Sequence, residues 1–342
     1  MAVDHARGEI LRLNLSAGEL LDRVEGGETE FDEDEQEFLE TISDRGWLTG
    51  RSAPRGASSP QGGPVPPAQR DMDLMDEINK AAAKRLVPLH CQLELTYRCR
   101  LRCQYCYLGH QSSRLDGEPD GDELSTGEVV GLLDQLRELG GLFLLLTGGE
   151  PLLRPDLLAI VEAARERRFA VSLLTSGWRL ERAKAERLAA LGLDGVQVSI
   201  HGADARTHDG MTGVPGSFEA ALSAIELWKE LGVRAQAAVT VTTGNVGELE
   251  AVKRRLDADR TPVNVSFYVM PCRDSCGDSS PQNVLMDESD LRRAMGVFPQ
   301  GATPRMGIVG LDDVPCGAGM STVSVDPHGL VYPCHSLRIA AG

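Results

Sequence analysis

Short apolar segments alternate with amphipathic segments along most of the chain after residue 89. The apolar segments predict strands at 90–96, 141–148, 170–177, 195–202, 234–242 and 263–270. Between them, apolar residues recur at the spacing of one helix face, which predicts helices near 125–139, 156–168, 181–191, 217–231 and 246–257. Strands that alternate with single helices form a parallel sheet through right-handed crossovers. Six such units predict an α/β fold, a partial (β/α)6 barrel that is similar to a TIM barrel left open.

The N-terminal part of the chain has a different pattern. Residues 1–50 predict a small separate unit, with a strand near 10–17 followed by a short helix and an acidic helix. Residues 51–72 are rich in Pro, Gly, Ser and Ala, and their few apolar side chains cannot offset the entropy of ordering, which predicts a flexible linker. The barrel domain is then expected over 73–300, and a C-terminal extension over 301–342.

Composition and charge exclude several classes of partner. The chain of 342 residues is 42% hydrophobic, which is enough for one large α/β domain with small additions. Its formal net charge of −16 repels the phosphates of nucleic acids, and no basic cluster offsets that charge. The longest apolar runs, such as 140–149, are too short to cross a bilayer, and the N-terminus has no apolar signal segment. We therefore expect a cytoplasmic protein that binds neither nucleic acid nor membrane.

Three of the eight cysteines lie in the segment CRLRCQYC (99–106), directly after the first predicted barrel strand. In a reducing cytoplasm this clustering indicates metal or redox chemistry in place of disulfides. A closed zinc site needs four ligands, whereas Cys99, Cys103 and Cys106 on a 4Fe-4S cluster leave one iron open. The alternative, a loop without metal, gives these thiols no packing role. The segment TGGEP (147–151) follows the second strand, so we expect both loops at one mouth of the barrel.

The segment CRLRCQYC, with its aromatic Tyr105, and the segment TGGEP together resemble the radical S-adenosylmethionine (SAM) superfamily over about residues 88–335. The resemblance implies that the cysteines hold a 4Fe-4S cluster whose open iron binds the amino and carboxylate groups of SAM. It also implies reductive cleavage of SAM to a 5′-deoxyadenosyl radical, which abstracts a hydrogen from the substrate. The electron is expected from a reductant such as flavodoxin or ferredoxin.

The same resemblance implies which residues contact SAM. Gly148 and Gly149 let the main chain approach a ligand closely, and Glu150 offers acceptors for the ammonium group of SAM. Without the cysteine motif, this segment fits a plain strand-to-helix turn. Thr212 stands where a basic residue is common in one branch of the family, which leaves a contact with the SAM carboxylate open, and His201 is given a structural role. No catalytic residue is named, and the set implied for SAM is Tyr105, Gly148, Gly149, Glu150, Ser176 and Ser199.

A second group of cysteines lies in the C-terminal part of the chain. Cys316 and Cys334 flank two alternating segments, STVSV and GLVYP, which predict a hairpin that turns at DPHG and brings the two thiols together. The spacing resembles the opening of SPASM or twitch extensions, which bind auxiliary iron-sulfur clusters, and the sequence ends eight residues after Cys334. Cys272 and Cys276 are hypothesised to complete a four-thiolate auxiliary site. The alternatives are incidental thiols on the hairpin and redox-inert loop cysteines.

Enzymes with SPASM extensions mostly modify peptides or proteins. Residues 10–50 resemble the later part of a RiPP recognition element, which binds a leader peptide by adding a strand to a sheet edge. We therefore expect a maturase that installs a cross-link or a similar modification in a ribosomally synthesised precursor peptide. One alternative is a radical SAM enzyme that acts on a protein side chain, like sulfatase maturases, or on a small molecule in cofactor biosynthesis. The other is a non-enzymatic iron-sulfur protein.

Overall fold

The computed structural model of the chain describes residues 2–4, 9–11, 36, 39, 67–108, 123–272, 280–299 and 316–337. The chain divides into two compact units, Met1–Ile78 and Asn79–Gly342. In the first unit, strand β1 (Ala2–Asp4) pairs antiparallel with strand β2 (Glu9–Leu11). The strand predicted at 10–17 overlaps β2 at its first residues, and the rest of that prediction lies outside the described residues.

Helix α1 spans Pro67–Lys84. Its first residues, 67–72, belong to the segment for which the sequence predicted a flexible linker, and the sequence predicted no helix for the residues that follow. The helix begins there because Pro67 fits the first turn, where its missing N–H is not needed, and because many of the residues after it are good helix formers. Residues 51–66 of the predicted linker lie outside the described residues.

Six strands of the second unit form a parallel sheet in the order of the chain, which confirms the predicted series of β/α units. The strands are β3 (His90–Glu94), β4 (Phe143–Thr147), β5 (Ala170–Thr175), β6 (Gly195–Ser199), β7 (Ala235–Thr240) and β8 (Val263–Ser266). The register aligns Leu93, Leu146, Leu173 and Val196 in one row across four neighbouring strands. All four side chains are buried, so the row is part of the hydrophobic core.

Seven further α-helices lie in the described part of this unit, and five of them are close to where the sequence predicted a helix. The seven are α2 (Thr126–Glu138), α3 (Leu157–Glu166), α4 (Arg182–Ala190), α5 (Ala205–Thr212), α6 (Ser217–Glu230), α7 (Leu249–Ala258) and α8 (Glu288–Val297). Helix α2 begins with a capping box, in which Ser125 and Glu128 each accept a hydrogen bond from the main-chain N–H of the other. Among the helices of the described ranges, none is both long and apolar enough to span a membrane.

Three features of the second unit differ from the prediction. Helix α8 lies where the sequence predicted no element. Helix α5 lies in a segment for which the sequence predicted no helix. Asp204 caps its first turn, and Gly213 ends it with a φ of 68°. The predicted C-terminal hairpin is confirmed as β9 (Thr322–Val325) paired antiparallel with β10 (Val331–Tyr332). However, β9 also pairs in parallel with β3, so the hairpin extends the barrel sheet at its first edge.

Candidate functional site

The cysteine loop, residues 95–108, begins where β3 ends. Cys99, Cys103 and Cys106 are free thiols, and each is half-buried. Burial raises the pKa of the Cys103 thiol to about 12, and the nearby Cys106 adds to the shift. The pKa of Cys99 is raised well above its usual value, first by burial and then by Glu150 and Cys103. The three sulfurs are therefore close enough to repel one another as thiolates, and a positive group among them would relieve that repulsion.

The TGGEP loop, residues 147–151, is joined to the cysteine loop by main-chain hydrogen bonds. The Gly149 N–H donates to the Thr96 carbonyl at 2.7 Å, and the Glu150 N–H donates to the Arg98 carbonyl at 2.8 Å. A Cβ atom on Gly149 would lie 2.4 Å from the Arg98 carbonyl oxygen, and Gly148 has a φ of 125°. The two glycines thus allow the loops to touch, as expected for one mouth of the barrel. Their contact with SAM stays a prediction.

The end of helix α5 holds the cysteine loop from its other side. The Arg102 N–H donates to the Thr212 carbonyl at 2.8 Å, and the Gln104 N–H donates to the Met211 carbonyl at 3.0 Å. A Cβ on Gly213 would lie 3.0 Å from the Arg102 carbonyl oxygen, so a glycine suits this close contact. Thr212 itself is fully buried. Thr212 therefore positions the cysteine loop through its main-chain carbonyl.

Glu150 is buried, and every acceptor position of its carboxylate is used inside the protein. One oxygen accepts hydrogen bonds from the Leu152 N–H at 3.1 Å and the Thr175 hydroxyl at 2.6 Å. The other accepts from the N–H and the hydroxyl of Ser176. Burial raises the pKa of Glu150, while these hydrogen bonds oppose the shift. A carboxylate with four such donors positions the end of β5 against the TGGEP loop. A contact with the ammonium of SAM stays a prediction.

Tyr105 is joined to a residue to which the sequence assigned only a structural role. Its hydroxyl is hydrogen-bonded to Nε2 of His201, and the two ring centroids lie 4.7 Å apart. His201 is buried and follows β6, at the same end of the sheet as Ser176 and Ser199. Its position two residues beyond a predicted strand-end serine is the signal that could have identified it. Ser176 and Ser199 are half-buried at the ends of β5 and β6.

The C-terminal hairpin is attached to the cysteine loop through Asp326, which is buried at the hairpin turn. One carboxylate oxygen accepts hydrogen bonds from the N–H groups of His328 and Leu330. The other accepts from the hydroxyl of Tyr97 at 3.0 Å and from that of Tyr332 at 3.3 Å. Tyr97 lies two residues before the first cysteine of the triplet. The hairpin thus contributes to the support of the cysteine loop.

The proposed auxiliary cysteines lie outside the cysteine loop, before β9, after β10 and after β8. Cys316 is exposed and Cys334 is half-buried, and both are free thiols. The N–H of Gly319 donates to the Pro333 carbonyl at 2.9 Å, so the segments that contain these cysteines are adjacent. Cys272 is disulfide-bonded, and Cys276 lies outside the described residues. A disulfide-bonded Cys272 offers no thiolate, so an auxiliary cluster on all four residues requires reduction of that disulfide and stays a prediction.

The donors of the cysteine loop fit an iron-sulfur cluster, because such clusters are held by cysteine thiolates. Within the ranges that the structure describes, no three His, Cys, Asp or Glu side chains converge on one metal ion. A cluster spans a wider group of thiolates because each ligand binds a different iron. Three neighbouring thiols on an irregular loop, held by main-chain hydrogen bonds on both sides, meet that requirement.

Comparison with known proteins identifies the class. The family described as "Radical SAM superfamily" matches residues 93–256. The PqqA peptide cyclase of Gluconobacter oxydans (strain 621H) is 31% identical over 273 residues, which are 74% of this chain and 71% of that protein. The PqqA peptide cyclase of Rhizobium meliloti (strain 1021) is 29% identical over 282 residues, 76% of this chain and 71% of that protein. The chain belongs to the radical SAM superfamily.

Solved structures show the same fold. Streptococcus suis SuiB bound to S-adenosylmethionine superposes with a TM-score of 0.60 at 16% identity, over 97% of this chain and 79% of that chain. Native anSMEcpe with bound AdoMet superposes with a TM-score of 0.57 at 18% identity, over 74% of this chain and 76% of that chain. The fold is therefore the partial barrel of radical SAM enzymes. Because the chain belongs to the radical SAM superfamily, the protein is an enzyme whose cofactors are a 4Fe-4S cluster and SAM.

Proposed function

We propose that the protein is a radical SAM maturase that modifies a ribosomally synthesised precursor peptide, by a cross-link or a similar change. The observation that carries the proposal is the similarity to PqqA peptide cyclases, which extends over 71% of the Gluconobacter oxydans protein. The fold likeness to SuiB, whose structure with precursor peptide SuiA superposes at a TM-score of 0.59, is consistent with it.

The residues at the barrel mouth have two proposed roles, binding of the cluster and binding of SAM. Cys99, Cys103 and Cys106 hold the 4Fe-4S cluster. When bound, the cluster and SAM supply the reductive cleavage that yields a 5′-deoxyadenosyl radical. The chain positions SAM and excludes water, and the residues proposed to contact SAM are Tyr105, Gly148, Gly149, Glu150, Ser176 and Ser199. Glu150 also fixes Ser176, from which it accepts two of its four hydrogen bonds within the protein.

Other parts of the chain are proposed to bind the peptide substrate and an auxiliary cluster, and a separate protein supplies the electron. Residues 1–50 dock the precursor peptide, and residues 51–66 connect them to the helix that leads into the barrel. A reductant such as flavodoxin or ferredoxin supplies the electron, and the enzyme works in the cytoplasm, where such carriers are found. Cys316 and Cys334 are the first candidates for ligands of an auxiliary cluster, since the chain brings their segments together.

The test combines two assays on the anaerobically reconstituted protein. The first measures 5′-deoxyadenosine formed from SAM after reduction with dithionite. The second follows, by mass spectrometry, a candidate precursor peptide chosen from short reading frames found beside the gene. The wild-type protein should show both activities, and alanine substitution of Cys99, Cys103 and Cys106 together should abolish both. Cleavage of SAM by the triple variant would refute the cluster assignment. Cleavage by the wild type without a change in the peptide would refute the peptide substrate and favour a protein side chain or a small molecule.

A further inference from the structure

The Tyr105 hydroxyl lies between a buried histidine and a proposed cluster ligand. On one side it is hydrogen-bonded to Nε2 of His201, and on the other it lies beside the sulfur of Cys103, within reach of a hydrogen bond. Tyr105 lies two residues after Cys103 and directly before Cys106, so the loop itself keeps the phenol beside the sulfurs. A hydroxyl in this position can accept one hydrogen bond and donate another. Which neighbour receives the proton depends on the tautomer of His201.

The surroundings of His201 decide that tautomer. The Thr240 N–H donates to Nδ1 of His201 at 3.3 Å, so Nδ1 carries no hydrogen. Burial, with a smaller effect of His208, holds the pKa of His201 well below its usual value, so the ring is neutral. The hydrogen of the neutral ring is therefore on Nε2, which donates to the oxygen of Tyr105. The phenolic hydrogen is left to point towards Cys103.

The main chain around His201 keeps the ring in this orientation. The His201 N–H donates to Nδ1 of His208 at 3.1 Å, and the side-chain amide of Asn245 donates to the His201 carbonyl at 3.0 Å. The His201 and His208 rings stack at 5.6 Å between their centroids. His201 thus enters the hydrogen bond with Tyr105 already oriented, at little cost in side-chain entropy.

We propose that His201 and Tyr105 form a hydrogen-bond chain that donates to the sulfur of Cys103 and raises the reduction potential of the cluster. Hydrogen bonds to the sulfurs are one of the levers by which a protein sets the potential of an iron-sulfur cluster. A donor beside a ligand sulfur stabilises the reduced cluster more than the oxidised one, because the reduced cluster carries one more negative charge. His201 strengthens the donor by polarising the phenol, so His201 is a positioning residue. The inference rests on the proposed assignment of the cluster to Cys99, Cys103 and Cys106.

The test is an EPR-monitored redox titration of the reconstituted protein without SAM, so that contacts with SAM play no part. Tyr105→Phe removes the donor and should shift the midpoint potential to a more negative value. We expect the ratio of reduced to oxidised cluster at a fixed potential to fall about tenfold, which corresponds to a 59 mV shift for one electron. Tyr268→Phe is the matched control, since Tyr268 is 55% exposed and lies beyond β8, and it should leave the potential unchanged.

His201 is tested by a pair of variants. His201→Leu should shift the potential in the same direction by a smaller amount, and His201→Gln, which restores an N–H donor, should reverse the shift. In the Tyr105→Phe background, His201→Leu should add nothing, because the chain to Cys103 is already broken. An additional shift of the same size there would show that His201 acts through packing alone and would overturn its role.

The outcomes separate this inference from the cluster assignment. An unchanged potential in Tyr105→Phe, with the cluster present at the wild-type iron content, overturns the inference and leaves the assignment intact. A triple cysteine variant that keeps its iron and its EPR signal refutes the assignment instead. If Tyr105→Phe takes up no cluster, the His201 pair carries the test. A negative shift in His201→Leu that His201→Gln reverses supports the inference, and equal potentials in the two variants overturn it.

Discussion

The carboxylate of Glu150 accepts hydrogen bonds from both the main-chain N–H and the hydroxyl of Ser176. The main-chain N–H of Glu150 donates to the Arg98 carbonyl in the cysteine loop. Three successive strand ends, those of β3, β4 and β5, are therefore connected through one buried acid. Because the sites of parallel α/β barrels lie at the C-terminal ends of the strands, Glu150 links the geometry of the proposed cluster loop to that of the proposed SAM contacts.

Glu150→Gln should destabilise the protein by about 1–3 kcal/mol, because the amide places an NH2 group against donors that need an acceptor. The free energy of unfolding is measured by urea denaturation of the cluster-free protein. Glu226→Gln is the control: Glu226 is exposed on α6, and the change should stay within about 0.5 kcal/mol of wild type. Equal stabilities of Glu150→Gln and wild type would mean that the carboxylate does not hold the two loops together.

Gly149→Ala should reduce cluster uptake. The new Cβ would lie 2.4 Å from the Arg98 carbonyl oxygen, so the cysteine loop has to move. We expect a loss of about 1–3 kcal/mol in stability from this overpacking, and less iron per chain after reconstitution. Gly131→Ala on α2 provides the comparison, because nothing lies within 4 Å of its added Cβ. It should raise stability by up to about 1 kcal/mol and leave the iron content alone. Wild-type iron content in Gly149→Ala would contradict the prediction.

The regular part of the fold was predictable because its signals are local. Each barrel strand combines an apolar run with a following amphipathic helix, and the core row through Leu93, Leu146 and Leu173 follows from that pattern. The pairing of β9 with β3 was not predictable, since the two strands are more than 200 residues apart in the sequence and no local pattern chooses between two sheet edges. Helix α5 was not predicted because its sequence is mostly polar.

The part of the candidate site that could be predicted is the part whose residues lie close together in the sequence. The spacing of Cys99, Cys103 and Cys106 predicts the ligands of the proposed cluster without reference to the fold. The partner of Tyr105 is different: His201 is 96 residues away, and only the parallel order of the strands brings the two side chains together. The hydrogen bonds that Glu150 accepts from Ser176 could not be predicted either, because the GGE segment alone does not show which residues its acid contacts.

Tyr97 and Asp326 should be energetically coupled, because their hydrogen bond of 3.0 Å joins the cysteine loop to the C-terminal hairpin. A hydrogen bond to a buried carboxylate contributes about 1.5–3 kcal/mol. We expect a double-mutant cycle with Tyr97→Phe and Asp326→Ala to give a coupling energy of about 1 kcal/mol or more, measured by urea unfolding. Replacing Tyr97→Phe by Tyr268→Phe in the cycle should give none. Additive effects of the first pair would show that the hairpin stands independently of the cysteine loop.

His208 should make the protein less stable in mild acid. Burial, opposed by the nearby Asp209, lowers the pKa of His208 from 6.5 to about 4. Because the unfolded chain binds this proton near pH 6.5 and the folded one only near pH 4, stability falls as the pH decreases between these values. The loss attributable to His208 is roughly 3 kcal/mol. His208→Asn keeps an acceptor for the His201 N–H without titrating. In urea unfolding of the cluster-free protein, its stability should depend less steeply on pH in this window, and identical slopes would contradict the prediction.

The N-terminal unit should contact the leader part of the precursor peptide. In the described residues, β1 and β2 form a two-stranded sheet, and a peptide can add a strand to such an edge through main-chain hydrogen bonds. Docking on a tethered unit raises the concentration of the peptide near the barrel mouth without any contact to SAM.

We expect a photoreactive group in the leader of the precursor peptide to crosslink to residues 1–50 of the full-length protein, with the sites read by mass spectrometry. A group placed in the core of the same peptide should crosslink to the unit that begins at Asn79. An excess of unlabelled leader should suppress the first crosslink, because it competes for the same edge. Leader crosslinks confined to residues 79–342 would show that the barrel unit itself recruits the substrate, and that the N-terminal unit has another role.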